Sequence, residues 1–308
     1  MEDIVWAPNT GVSGLVERFK ATGFQSTELA KASAVMYKLW SQKAKVILSF
    51  TSNMATSGLR GLFAQMIKLG LVDIVITTAG TVEEDIMKSM GNKFPLTRFN
   101  ADDIELHERG HNRIGNIVIT NDSYMKFEGI MKSFIDDIVK DKENMTVVEF
   151  LDKLGSKLDD ENSILAQAHK KGVPVFCPAI TDGAIGFHLY MARDRHPKFQ
   201  LDVIGDFKKL LLALSPDDTK GVIALGGGVS KHFALLSTMI NGGADYAVYM
   251  TSSTGWSGSL SGASTNEAKS WGKVKDDSDS ATVIGDVSIN FPLAMFYVLD
   301  KLHKEGKL

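Results

Sequence analysis

The sequence predicts an α/β protein built on a mainly parallel, twisted sheet with helices on both faces. Three observations carry this expectation. Short runs rich in β-branched and apolar residues alternate with longer stretches of helical periodicity. The runs read as buried strands, which suits a parallel sheet covered on both sides. Six of them end in small or polar residues: Thr51-Ser52-Asn53, Thr78-Ala79-Gly80, Thr181-Asp182-Gly183, Gly226-Gly227-Gly228, Ser252-Ser253 and Gly285-Asp286.

Taken in order, residues 11–42 read as helical, with Val12, Leu15, Val16 and Phe19 on one face and a break at TGFQ, 22–25. KVILSF (45–50) is the first strand. SGLRGLFAQMIKLG (57–70) reads as a helix closed by Gly70. VDIVITT (72–78) is the second strand, and Glu83, Glu84 and Asp85 open the next helix, where acids suit the N-terminus. Residues 99–120 read as loop plus strand. Residues 125–139 place Phe127, Ile130, Phe134 and Ile138 at helical spacing, and 162–171 form a helix stopped by Gly172. Four further strands follow: VPVFCPAI (173–180), GVIALGGG (221–228), DYAVYMT (245–251) and ATVIGD (281–286).

The totals bound the possibilities. A chain of 308 residues, 44% hydrophobic and 23% charged, fits a soluble globular protein. It is read as one domain over 1–308, with 1–25 a short N-terminal extension. A net charge of −3 gives no general affinity for nucleic acid or acidic membrane. The single cysteine, Cys177, permits no internal disulfide and suits a cytoplasmic setting; its apolar surroundings predict a buried thiol. No apolar run approaches the roughly 18 residues of a membrane helix, and MEDIVWAPNTG lacks a signal peptide's basic start. No histidine shows metal-ligand spacing, so no metal is expected.

In open α/β sheets, ligands bind beyond the carboxyl ends of the strands. Small residues in several such loops suit a large ligand carrying phosphates or ribose, and Asp182 or Asp286 suits the ribose hydroxyls. Any one loop is explained by a glycine ending a strand; six together favour a nucleotide. The architecture is Rossmann-like, yet no GxGxxG follows the first strand. A second feature is residues 252–276, where small residues crowd ahead of Glu267, Trp271 and Lys273. A lysine becomes nucleophilic when desolvation or a neighbouring cation lowers its pKa from about 10.4. Read alone, Lys273 is an ordinary surface lysine and His232 a core histidine.

TGFQS (22–26), TSNMATSGLR (51–60), VDIVITTAGTVEEDIMK (72–88), NRIGN (112–116), PVFCPAITDGAIG (174–186), IALGGGVSKH (223–232), NGGADYAVYM (241–250), SGSLSGA (257–263) and EAKSWGK (267–273) occur in this order. Together they resemble deoxyhypusine synthase from about residue 10 to 300. The resemblance implies NAD-dependent transfer of an aminobutyl group from spermidine, a polyamine. The group passes through an imine on an enzyme lysine to a lysine of a translation factor precursor, giving deoxyhypusine. It places the covalent lysine at Lys273 and a proton-transferring histidine at His232. It assigns Glu84, Glu267, Trp271 and Gly258 to the amine. For NAD it assigns Ser52, Asn53, Thr56, Thr78, Ala79, Gly80, Asp182, Gly227, Ser252, Ser253, Asp286 and Val287. It also implies a homotetramer with sites at dimer interfaces.

Two positions depart from the eukaryotic pattern: Phe187 and Leu260 stand where that pattern has acids. Losing two carboxylates weakens charge complementarity to a polyamine. The alternatives are therefore the same chemistry with another donor or acceptor (homospermidine formation or agmatine use) or a catalytically silent NAD-binding paralogue.

Overall fold

The computed structural model describes residues 1–308. Ten strands are present: β1 (Lys45–Phe50), β2 (Ile74–Ile76), β3 (His111–Ile114), β4 (Ile117–Thr120), β5 (Asn144–Thr146), β6 (Val175–Phe176), β7 (Gln200–Asp202), β8 (Lys220–Leu225), β9 (Ala244–Thr251) and β10 (Val274–Ile284). The six predicted strands that end in small or polar residues all enter one parallel sheet, ordered β10-β9-β8-β1-β2-β6. The chain starts in the middle at β1, adds β2 and β6 outward, then crosses over to build β8, β9 and β10 on the other side. The strand order therefore reverses between β1 and β8, where open sheets bind ligands.

Alternation along the strands feeds two cores. On one face Val46, Leu48, Phe50, Val248 and Met250 meet helices Phe24–Ser41, Arg60–Lys68 and Val287–Lys304. Phe50 stacks on Phe63 at 4.3 Å between ring centroids, and Phe63 meets Phe291 at 5.7 Å. On the other face Ile47, Val222, Ala224, Ala247 and Tyr249 meet Leu210, Leu235 and Ala268. These three come from helices Val203–Leu212, Gly228–Ile240 and Thr265–Lys269. No helix is long and apolar enough to cross a membrane.

The structure differs from expectation in four places. β6 has two residues rather than eight, because it forms the sheet edge and is flanked by Pro174 and Pro178, which carry no N–H for a ladder. Residues 99–120 hold a short helix, Asp103–Glu108, before the β3–β4 hairpin. Helix Ala79–Ser89 begins one turn early, so Glu83, Glu84 and Asp85 are not in its first turn, and all three are buried. The proposed extension over residues 1–25 is partly core. Helix Val12–Phe19 buries Val16 completely, and Tyr297 Oη donates to Glu17 at 2.7 Å.

Candidate active site

Most of the residues assigned to a nucleotide lie along the carboxyl edge of the sheet. Main-chain bonding continues past the strand ends: Gly226 N–H donates to Met250 O at 2.8 Å and Gly285 N–H to Thr251 O at 2.9 Å. Ser52 N–H donates to Thr78 Oγ1 at 3.1 Å, joining the loops after β1 and β2. Gly226 has φ +83°, and a Cβ there would sit 2.7 Å from Thr51 Oγ1; one at Gly227 would sit 2.3 Å from Ser261 Oγ. Only glycine lets these backbones approach so closely. Helices Ala79–Ser89, Gly228–Ile240 and Val287–Lys304 all begin at this edge, and their free N–H groups suit phosphate oxygens. Asp182 is exposed in the loop after β6, and Asn53 and Ser252 are exposed beside half-buried Ser52, Thr78, Gly80 and Ser253. Thr56, Ala79, Gly227 and Val287 are buried behind them. Asp286 caps helix Val287–Lys304, with Oδ1 accepting from Ser288 N–H at 2.7 Å and Ser288 Oγ at 2.6 Å. Its second oxygen remains for a ligand.

Lys273 is not a surface lysine. Helix Thr265–Lys269 ends at Trp271-Gly272, and Gly272, at φ +67°, turns the chain left-handed into Lys273 and β10. The Lys273 carbonyl accepts from Thr238 Oγ1 at 2.8 Å and Ala244 N–H at 3.1 Å. This pins the backbone while the side chain, 8% exposed, turns into a cavity of about 20 Å³. Lys231, Tyr249, Leu260, Glu267 and Trp271 line the same cavity. Trp271 is 63% exposed and forms the rim, its ring centroid 4.9 Å from Lys273 Nζ, a cation–π distance.

Among the lining residues that reading the sequence missed, Lys231 and Tyr249 bring titratable groups into the cavity. Lys231 was passed over for its neighbour His232, yet it is His232 that is exposed and Lys231 that is 1% exposed. Burial pulls Lys231 down to about 8; Glu267 opposes this and the charge of Lys273 adds to it. Tyr249 is 1% exposed, and its hydroxyl has no hydrogen-bond partner. Burial raises the pKa of this phenol, so it stays protonated. The apolar alternation of DYAVYMT marked Tyr249 as core and gave no sign of the orphaned hydroxyl.

Glu84 belongs to a separate acidic group. It is 6% exposed; Oε1 accepts from Thr56 Oγ1 at 2.8 Å and Oε2 has no partner. Burial pushes it up to about 7 against the pull of Thr56 and Lys88. Glu83 Oε1 accepts from Ile185 N–H at 3.0 Å, at the start of helix Ala184–Arg195, and burial raises its pKa too. A carboxyl whose folded pKa is raised loses stability as pH climbs from its unfolded value to its folded one. For Glu84 that window runs from about 4.5 to about 7. Glu84→Gln is therefore expected to match wild type at pH 4.5 and gain about 1–3 kcal/mol over it by pH 7, then hold that margin. Urea melts across this range check it; a margin independent of pH contradicts the buried-proton account.

Lys273, Glu267, Trp271 and Leu260 thus share one cavity. Glu84 does not join them within one chain. It projects from the helix after β2, three strand spacings from β9, or roughly 14 Å across the sheet. Phe187, 59% exposed on helix Ala184–Arg195, also lies on the β6 side. His232 and Gly258 are exposed outside the cavity lining. Cys177 is fully buried and its thiol pKa strongly raised by burial, which leaves it inert.

A six-stranded parallel sheet flanked by helices, with a small cavity that sets a buried lysine beside a carboxylate and an indole, defines the class as Rossmann-like α/β proteins. Comparison with known proteins narrows this to a family. The deoxyhypusine synthase family model matches residues 14–298. A "probable deoxyhypusine synthase" of Pyrococcus abyssi is 38% identical over 306 residues, covering 94% of this chain and 91% of its own. One from Aeropyrum pernix is 39% identical over 292 residues, covering 94% of each. A crystal structure from Entamoeba histolytica assigned to deoxyhypusine synthase superposes with TM-score 0.69 at 25% identity, covering 97% of both chains. The chain belongs to the deoxyhypusine synthase family and is an enzyme of the transferase class.

Proposed function

We propose that this enzyme moves an aminobutyl group from spermidine, through an imine on Lys273, to one lysine of a hypusine-bearing translation factor precursor in the cytoplasm. The observation that carries the proposal is that buried Lys273 meets Glu267 and Trp271 in the lining of one small cavity. An imine-forming lysine attacks as the free amine, and Lys273 is the buried amine that this cavity presents beside a carboxylate and an indole. Glu267 would hold an ammonium of the donor, and Trp271 would lie along its aliphatic chain and cations. Exposed His232 would move the proton as general base. Gly258 would bring the backbone of its loop close to the amine.

NAD fits the carboxyl edge: glycines there bring backbone close, three helix N-termini suit its phosphates, and Asp182 and the free oxygen of Asp286 suit its riboses. Ser52, Asn53, Thr56, Thr78, Ala79, Gly80, Gly227, Ser252, Ser253 and Val287 would complete the site. When bound, NAD would supply a hydride acceptor that returns the hydride at the end of the cycle. Asp182→Ala combined with Asp286→Asn, which keeps the helix cap, is expected to weaken NAD binding roughly 10²–10⁴-fold, each of the two lost bonds to a charged group being worth about 1.5–3 kcal/mol. Calorimetry checks this, and unchanged affinity moves NAD off the edge.

The separation of Glu84 from the Lys273 cavity supports a homotetramer in which two copies complete each amine site. A second reading rests on Leu260, an apolar side chain in the cavity wall. It favours a donor whose cation is more weakly hydrated, such as the guanidinium of agmatine, or a small-molecule acceptor as in homospermidine formation. A silent paralogue is disfavoured by the enclosed Lys273. Labelled spermidine, putrescine or agmatine, each offered with NAD and with or without the purified factor, tests all of these. Borohydride trapping followed by peptide mapping should put the spermidine label on Lys273, and the factor should discharge it. Labelling by agmatine instead shifts the donor, and no labelling by any amine overturns the transferase reading for this site.

A further inference from the structure

We propose that Lys231 is a positioning residue that fastens the 255–263 loop and thereby sets the wall of the Lys273 cavity. Its ammonium donates to the Leu260 carbonyl at 2.9 Å and the Ala263 carbonyl at 2.8 Å, and lies 4.3 Å from the Tyr249 ring centroid. Burying an ammonium is costly unless its N–H groups are satisfied. Here both partners are main-chain carbonyls of a loop that has no regular structure beyond one turn, Gly255–Ser257. The loop's other hydrogen bonds are local: Gly258 N–H to Gly255 O, Gly262 N–H to Ser259 O, and Ala263 N–H to Leu260 O. Side-chain bonds from Ser257 and Ser259 also stay within it. The two bonds from Lys231 are those that tie the loop to the sheet and its helices. Because one ends on Leu260, the same ammonium fixes which side chain the loop turns into the cavity. The consequence for chemistry rests on the reading of that cavity as the amine site; the staple itself does not.

Lys231→Met keeps the stem and removes the donors. In the full-length protein, amide hydrogen exchange over residues 258–263 is expected to quicken at least tenfold, with the amides of β8 and β9 unchanged. The donor KM is expected to rise at least tenfold with a smaller change in kcat. Should this variant fail to fold, Lys231→Gln, which keeps N–H donors on a shorter stem, goes through the same measurements. Unchanged exchange over the loop, or equal acceleration in β8 and β9, makes Lys231 a merely structural lysine and overturns the proposal. Failure of wild-type Lys273 to trap any labelled amine, with loop exchange responding as expected, overturns the transferase reading and leaves the staple standing.

Discussion

Lys273→Arg is expected to abolish the trapped adduct and to cut transfer on the order of 10³-fold or more, as loss of a covalent nucleophile does. The reason is protonation. Lysine can shed its proton and attack; arginine remains charged and has no lone pair to offer. The fold should survive, because what holds residue 273 in place is its main chain: the carbonyl bonded to Thr238 and Ala244, and the N–H bonded to Ala268 O at 3.1 Å. A guanidinium can also lie against Trp271 as the ammonium does. Thermal melting should therefore change little while borohydride trapping with labelled spermidine and NAD gives nothing. An adduct recovered from another residue of the wild type, or full transfer by the arginine variant, removes Lys273 from its role.

Asp85→Ala is expected to cost about 3–5 kcal/mol of stability, the range for breaking a buried, hydrogen-bonded charge pair. Asp85 is fully buried and accepts from Arg60 Nε at 2.6 Å, Ser163 Oγ at 2.9 Å, Ile164 N–H at 3.2 Å and Leu165 N–H at 2.8 Å. Removing it strands a 7% exposed guanidinium and two N–H groups at the start of helix Ile164–Lys171. Arg60 keeps Asp160 and Ser89, so the loss stops short of an isolated buried charge. The carboxylate also locks helix Ala79–Ser89 against Ile164–Lys171, so the variant should loosen the seat of Glu84. The midpoint of urea unfolding measures the loss, and a change below about 1 kcal/mol means that the pair breaks even against its desolvation.

The sheet was legible because its strands are short apolar runs whose ends are punctuated by glycine, serine and aspartate. That pattern depends on neighbours in sequence and survives without a structure. The run of loops along the carboxyl edge was legible for the same reason, since parallel strands place all their carboxyl ends on one side. Glu83, Glu84 and Asp85 were not. Three acids in a row read as a solvated turn, and only Arg60, Thr56 and the N-termini of helices Ala184–Arg195 and Ile164–Lys171 make their burial tolerable. Lys231 was hidden in the same way: a lysine beside a histidine gives no hint of carbonyls 29 and 32 residues away.

By itself, the sequence determined the parallel α/β architecture and the run that carries Glu267, Trp271 and Lys273, because each is written in local composition and spacing; the family followed from the resemblance of its ordered motifs to deoxyhypusine synthase. Tertiary structure alone decided which charged groups are dry. It sank Lys231 and Lys273 into one cavity, left His232 outside, and held Glu84 on the far side of the sheet. Burial and the distance between groups remote in sequence arise only when strands and helices pack. The burial that follows is what separates Lys231 and Lys273 from surface lysines.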